Sequence, residues 1–407
     1  MSNFPRIALF ADTFYETNGA ANVIRRLRTF ALENERPFLC VCAGDETRFE
    51  QTGNDRLLEL KRCKLSFPID GKLKYDPFLW RYKNLVKKTL DDFQPDIIHV
   101  TGLNDVSQLG FFFGHYSKVP MVASWHTNTH EYVARRLAGL MTRLPGKLEK
   151  YINGVVEREV FRGLMKLNFL AQMQLAPNEE LVETIQRMTR RPTFLMSRGV
   201  DADLFAPDKR RRSDDAFVLG YVGRLRPEKN VRFLAEVDRA LQKAKIGDYK
   251  FVIVGEGSDA EWLKKNLSDA ELTGVLHGEE LARAYADMDL FVFPSRTDAF
   301  GNVVLEAIAA GVPAVVMPDN GPKFLIEHDR SGYVAADEKD FVAAVTEFVK
   351  NRKMPTAMRE AARKAACERS WQSVFEQVYH NYRLGMTFEK NVRVEQPIVH
   401  SRRIAEQ

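Results

Sequence analysis

Residues 289–317 read DLFVFPSRTDAFGNVVLEAIAAGVPAVVM. A short apolar run stops at Pro294, a polar loop follows, a helix-forming stretch begins near Gly301, and a second apolar run closes at Pro313–Met317. Strand, helix and strand in so few residues make one βαβ unit, and such units build parallel sheets. The alternation continues on both sides. In the second half, strands are expected at 217–222, 250–254, 274–276, 289–293 and 313–317. Helices are expected near 231–245, 258–267, 279–287, 302–310, 322–327, 338–350 and 356–368. In the first half, strands near 6–11, 37–42, 96–100, 119–124, 168–176 and 192–197 alternate with helices near 19–33, 78–93, 131–139, 147–166 and 178–190. The strands are continuously apolar, as when helices cover both faces of a parallel sheet. At 407 residues the chain exceeds one ordinary core. The expected fold is α/β, with two Rossmann-like, doubly wound parallel-sheet domains facing across a cleft and a ligand beyond the carboxyl ends of the strands.

Composition narrows the class. The chain is 45% hydrophobic and 28% charged, as in a globular protein in water. It has no apolar run of the roughly 18 residues a membrane span needs. The start, MSNFPRIALFAD, reads as a first strand rather than a signal peptide. Cys40, Cys42, Cys63 and Cys367 form no CxxC pair and read as buried, reduced thiols of a cytoplasmic protein. The net charge of +5 hides an asymmetry, because residues 1–200 hold 29 Lys and Arg against 22 Asp and Glu. That excess suits an anionic partner or the inner face of an anionic membrane, and scattered solvated charge explains it as well. The polar segment 197–215 contains Lys209-Arg210-Arg211-Arg212 and reads as an interdomain linker. The basic run is short, meets Asp214 and Asp215 at once and has no interleaved aromatics, so no nucleic-acid partner is expected.

Two constellations carry chemistry. In PSRTDAFGNVVLEA (294–307) the helix start offers unpaired N–H groups and a positive dipole end, which favour a phosphate. Gly301 lets the backbone approach it, and Asn302 reads as the N-cap. Asp298 and Glu306 bracket the turn. They suit sugar hydroxyls better than phosphate. In GYVGRLRPEKN (220–230), Gly223 ends a strand, and Arg224 and Lys229 follow on the loop, able to neutralise a diphosphate. Alone, such a pair is more often a solvated surface; beside the 294–307 string the phosphate reading is preferred.

With these residues in view, the second half resembles the family-four retaining glycosyltransferases of GT-B fold. The matching strings are GYVGRLRPEKN, FVIVGEGSDAEWL, FVFPSRTDAFGNVVLEAIAAGVPAVV and NGPKFLIEHDRSGYVA, in family order and spacing across roughly 199–335. The first half matches more loosely, through IALFADTFYETNGAANVIRRL and SWHTNTHEYVARRL. The resemblance implies that Arg224 and Lys229 bind the donor diphosphate. The backbone of Phe300, Gly301 and Asn302 would cradle the distal phosphate. Glu306 would accept the ribose hydroxyls, and Asp298 would hold hydroxyls of the donor sugar. The family more often has Glu at that last position, so Asp298 is one methylene short of the pattern. Gly19 would pack near the diphosphate, His126 would be the active-site histidine, and the base would lie against His277, Gly278 and Glu279. The helix from Trp371 resembles the segment that crosses back. This implies domains of 1–198 with 371–407, and of 199–370, hinged around a donor. The implied reaction moves a hexose from a UDP- or GDP-linked sugar to a hydroxyl of a lipid or glycan, with retention and with no metal or other cofactor.

Three other motifs are read against that assignment. Asp287-Met288-Asp289 is a DxD string, but at the amino end of a strand, and reads as a turn. His126 and His130 have H-x3-H spacing without the general-base Glu of a zinc protease. Gly255-Glu256-Gly257-Ser258-Asp259-Ala260 fits a dinucleotide fingerprint on a middle βα unit, which keeps an NAD-dependent oxidoreductase as a rival. A non-catalytic nucleotide-sugar binder is the other. The acceptor side is read from two basic stretches with interleaved apolar residues, 131–166 and 61–88. Taken alone, 131–166 reads somewhat better as a helix packed on the sheet with a charged outer face than as one lying on an anionic membrane; together the two stretches suit a lipid acceptor and peripheral membrane association.

Overall fold

The structure is a computed structural model. It describes residues 4–16, 19–70, 73–126, 162–163, 168–319, 321–351, 355–388 and 392–394. The helix expected at 131–139, all of that expected at 147–166 except residues 162–163, His130, and most of the tail lie outside the described residues.

Sixteen strands are described: β1 (Ile7–Ala11), β2 (Phe38–Gly44), β3 (Arg48–Thr52), β4 (Asp55–Lys61), β5 (Phe67–Asp70), β6 (Leu73–Tyr75), β7 (Ile97–Val100), β8 (Met121–Ser124), β9 (Met173–Ala176), β10 (Thr193–Leu195), β11 (Phe217–Val222), β12 (Tyr249–Val254), β13 (Ala270–Gly274), β14 (Leu290–Phe293), β15 (Ala314–Val316) and β16 (Gly332–Val334). The described helices are α1 (Gly19–Glu33), α2 (Lys83–Phe93), α3 (Asp105–Ser117), α4 (Glu179–Thr189), α5 (Leu234–Lys243), α6 (Ala260–Asn266), α7 (Gly278–Ala286), α8 (Asn302–Ala309), α9 (Glu338–Asn351), α10 (Thr356–Cys367) and α11 (Trp371–Thr387). Contacts divide the chain into two compact units, 1–197 with 374–407, and 198–373.

The first unit is built on an eight-stranded sheet of order β10-β9-β8-β7-β1-β2-β4-β3, parallel except for β3. Phe10, Val41, Ile98 and Val100 fill its core with under 1% exposure, each contributing about 1.5–3 kcal/mol by leaving water. The α11 helix packs on this unit. Phe375 and Tyr379 lie 5.4 and 5.9 Å from the Phe30 ring, and Glu376 pairs with Arg36 at 2.6 Å.

The second unit is a six-stranded, all-parallel sheet of order β13-β12-β11-β14-β15-β16. All six residues of β11 are buried, because β12 and β14 flank it and helices cover both faces. Tyr221, Phe291 and Phe293 form a ring stack at its centre. The chain runs outward from β11 in one direction, then returns to lay β14 on its other side. The switch point therefore lies between β11 and β14, where such sheets bind ligands.

Several expectations are corrected. The edge strand expected at 274–276 occupies Ala270–Gly274, and the strand expected over 168–176 is confined to Met173–Ala176. The helix expected at 322–327 is one 3-10 turn, Gly321–Leu325. Strands β3 to β6, β16 and helix α3 were not anticipated. Cys40 and Cys42 are buried, but Cys63 is only partly covered and Cys367 is exposed on the outer face of α10. Among the described residues, no helix is long and apolar enough to cross a membrane.

Candidate active site

The β11 and β14 strands end at Val222 and Phe293, and the loops that follow are the two constellations singled out above. Three bonds tie the loops together. Lys229 Nζ donates to Asp298 Oδ1 at 2.5 Å, Thr297 Oγ1 donates to the Glu228 carbonyl at 3.0 Å, and Asn230 Nδ2 donates to the Pro294 carbonyl at 3.3 Å. Ser295 Oγ completes the shell of Asp298, donating to Oδ2 at 2.5 Å. Burial alone would raise the Asp298 carboxyl. The Lys229 ion pair, the Ser295 bond and the Arg224 charge hold it below the usual carboxylate range instead. Asp298 is therefore an anion whose acceptors already face one cation and one hydroxyl. The Lys229 ammonium has three donors and, among the described residues, one partner. Arg224 is 43% exposed, with its guanidinium 3.8 Å from the Glu228 carboxylate.

Gly301 caps α8 at φ 93° and ψ 56°, and no side chain caps the helix. This corrects the expectation for Asn302, which is the first helical residue. A Cβ on Gly301 would sit 3.0 Å from Pro322 Cγ. The positive φ thus requires glycine, and Pro322 leaves a Cβ little room. The Val304 N–H donates to the Gly301 carbonyl at 2.9 Å, and ahead of it the start of α8 presents the positive end of the helix dipole to an anion. Phe300 is buried behind this turn. One turn into α8, Glu306 Oε2 accepts a 2.8 Å bond from the buried Tyr285 hydroxyl. Burial pushes the Glu306 carboxyl up to about 7, against the Tyr285 bond that lowers it. A carboxyl poised there can accept a pair of hydroxyls and ionises close to neutral pH.

His277, Gly278 and Glu279 open α7 at the carboxyl end of the edge strand β13. Gly278 has φ 51° and faces open space, whereas the Glu279 carboxylate lies 3.0 Å from Lys209 Nζ. Tyr285, at the other end of α7, links this helix to Glu306. It was not anticipated and carries no sequence signal beyond its apolar neighbours; Ser295 was missed in the same way. Gly19 is the first residue of α1 in the first unit, and His126 follows β8 there, its Nε2 2.6 Å from Ser124 Oγ.

The competing motifs resolve into structure. Asp287 Oδ1 accepts the backbone N–H groups of Arg211 and Arg212, and Asp289 pairs with Arg210, Arg212 and Arg359 at 2.9–3.1 Å. The DxD string and the basic run thus neutralise each other, and no group of His, Cys, Asp or Glu suited to a metal occurs among the described residues. The glycines of the GxGxxA string serve close backbone approach. Leu225 N–H donates to the Glu256 carbonyl and Gly223 N–H to the Val254 carbonyl, both at 2.9 Å. A Cβ on Gly255, at φ 136°, would lie 2.0 Å from the Gly223 carbonyl oxygen. Gly255→Ala is therefore expected to lower stability by about 2–4 kcal/mol, through strain plus a backbone collision, and to weaken nucleotide binding because the Arg224 loop moves. Thermal unfolding with and without nucleotide checks both effects.

Comparison with known proteins gives the same assignment. The family described as "Glycosyl transferases group 1" matches residues 204–365. The chain is 31% identical over 305 residues, 72% of its own length and 74% of the other's, to a "GDP-mannose-dependent alpha-mannosyltransferase" of Mycobacterium tuberculosis. The chain belongs to the group 1 glycosyltransferases. A protein of the same description from Corynebacterium glutamicum is 27% identical over 93% of this chain and 88% of its own. The solved sucrose-phosphate synthase of Thermosynechococcus elongatus superposes with TM-score 0.70 at 17% identity, over 93% of this chain and 98% of that one, and shows the fold to be GT-B. This group 1 glycosyltransferase draws its sugar from a nucleotide-sugar donor, and the switch point in its second unit is where the family match and the anion-binding geometry coincide.

Proposed function

We propose that this glycosyltransferase transfers mannose from GDP-mannose, with retention and without a metal, to a hydroxyl on a lipid or glycan. The switch-point site carries the proposal. Lys229 and Arg224 stand on the loop bonded to the turn before α8, a helix start that no side chain caps, with Glu306 one turn further on. The cations and the helix N-terminus would hold the diphosphate and stabilise the charge that develops as it leaves. Glu306 would accept the ribose hydroxyls, with Tyr285 holding its other oxygen. Asp298, kept ionised, would hold Lys229 in place and accept sugar hydroxyls. His277, Gly278 and Glu279 would lie against the base. Gly19 and His126 enter the proposal from family membership, His126 beside the donor sugar.

UDP- and GDP-linked donors carry the same diphosphate and suit the phosphate-binding groups equally. The names of the relatives favour GDP-mannose. Its sugar is α-linked, so an α-mannoside product means retention. The acceptor hydroxyl would then attack on the face the diphosphate leaves, with the departing phosphate oxygen taking its proton and the enzyme acting through placement and charge. A lipid acceptor at an anionic surface is supported by the first unit. There Leu65, Phe67 and Phe78 stand more than half exposed among the basic residues of 61–88. Incubation with GDP-mannose, EDTA and mannosylated or glycolipid acceptors checks the proposal: an α-linked product is expected, and a β-linked product or strict metal dependence would refute it.

A further inference from the structure

Behind His126 runs a chain of buried polar groups that the proposed function does not use. His99, on β7, has no exposed surface. Its Nε2 lies 2.7 Å from Ser124 Oγ and its Nδ1 2.7 Å from the hydroxyl of Tyr382, on α11. Ser124 Oγ is in turn 2.6 Å from His126 Nε2. The series Tyr382–His99–Ser124–His126 therefore joins three elements of the first unit, and its first three members are buried.

Proton accounting gives the chain one direction. Burial holds His99 far down, at about 3, so the ring is neutral and has one donor nitrogen and one acceptor nitrogen. The Tyr382 hydroxyl is fully buried, and His99 Nδ1 is its one hydrogen-bond partner among the described residues. If that hydroxyl accepted from His99, its own proton would be buried with nothing to bond, which is the costly arrangement. Tyr382 therefore donates to Nδ1. His99 Nε2 must then carry the ring proton and donate to Ser124 Oγ, and Ser124 donates to His126 Nε2. In neutral His126 the proton is left on Nδ1.

We propose that Ser124, His99 and Tyr382 are positioning residues, a one-way relay that locks His126 as the Nδ1–H tautomer, so that the group facing Nδ1 meets a hydrogen-bond donor and not a base. The inference deepens the proposed function, since it rests on His126 being an active-site residue for its catalytic meaning. On that reading His126 steadies an oxygen of the donor sugar. Proton removal from the acceptor is left to the departing phosphate. The relay also gives α11 a role at the site, because its Tyr382 sets the direction of every bond in the series.

The experiment is nitrogen-15 NMR of the histidine rings in the full-length protein near pH 8, where a histidine of ordinary pKa is neutral. His126 is assigned by the signal lost in His126→Gln. A protonated Nδ1 and an unprotonated Nε2 are expected in the wild type, and the opposite tautomer or a mixture would overturn the relay whatever the activity. Tyr382→Phe removes one oxygen and should turn His126 into a mixture of tautomers. It should also lower kcat by about 10- to 100-fold while KM for the nucleotide sugar stays within about twofold. Ser124→Ala should behave alike, and Ser124→Thr, which keeps the hydroxyl, should recover most of the rate. A fall in kcat with the tautomer unchanged would overturn the proposal in favour of simple packing. Full activity in His126→Ala would refute the active-site reading of His126 instead, and the wild-type spectrum would still decide the relay.

Discussion

Lys229→Ala lowers kcat/KM for the nucleotide sugar by about 10²- to 10³-fold, the loss expected when one preorganised charge donor is removed from a developing anion. The residue has two tasks in this geometry. Its ammonium holds Asp298 at 2.5 Å and has donors left for a diphosphate. Removing it takes the cation from a carboxylate that is only 21% exposed. The carboxyl then moves upward as burial prevails. Its depressed value now supports the fold at every pH above the ordinary carboxylate range, and that support is lost as pH falls through the depressed value. The variant should therefore be less stable at neutral pH, with the difference from wild type closing in acid. Lys229→Arg, which keeps the charge, should retain more activity than the alanine. Steady-state kinetics and unfolding at two pH values check these outcomes, and a Lys229→Ala enzyme within threefold of wild type would remove Lys229 from the proposed site.

Glu306→Gln separates stability from function. The wild-type carboxyl titrates at about 7 in the folded protein, so the folded state binds the proton more tightly than the unfolded one. Stability is consequently lost as pH rises from the ordinary carboxylate value through that of the folded state. The glutamine keeps the Tyr285 bond without ionising. It should match wild type in mild acid and be more stable near pH 8, by on the order of 2 kcal/mol after allowance for partial exposure. Nucleotide binding should change in the opposite sense. Ribose hydroxyls are donors and the ionised carboxyl is the better acceptor, so wild-type affinity for GDP-mannose should rise by up to about tenfold between pH 6 and pH 8. The sugar-linked diphosphate itself does not titrate there. In Glu306→Gln the affinity should be weaker at pH 8 and nearly flat with pH. Unfolding curves and titration calorimetry at the two pH values test both halves.

The legible parts of the sequence were those where one physical demand dominates. The β11 and β14 strands are short, wholly apolar and bounded by Gly223 and Pro294, so their period and ends could be read directly. Helix α3 was not legible. Its sequence DVSQLGFFFGHYS is weakly amphipathic and carries two glycines. A Cβ at Gly110 would lie 2.7–2.8 Å from Val100 and Phe10, and one at Gly114 2.3 Å from Met121 Sδ. The glycines that weaken its helical signal are thus the ones that let it lie close on the sheet. The exposed β3 strand has no buried face to give it a pattern. At the site, the charged and glycine positions could be named because their types suit phosphate chemistry. Tyr285 and Ser295 could not, since a buried tyrosine and a loop serine have many ordinary uses. The N-cap went to Gly301 over Asn302 because the turn needs a positive φ there, a demand that outweighs the side-chain preference of asparagine.

The most direct measurement is calorimetric titration of GDP, UDP and NAD⁺ into the wild-type protein in EDTA, repeated with Lys229→Ala. The account predicts that GDP binds without metal, more tightly than UDP, and that the affinity falls in the variant. Binding of NAD⁺ alone, or GDP affinity unchanged by loss of Lys229, would contradict it.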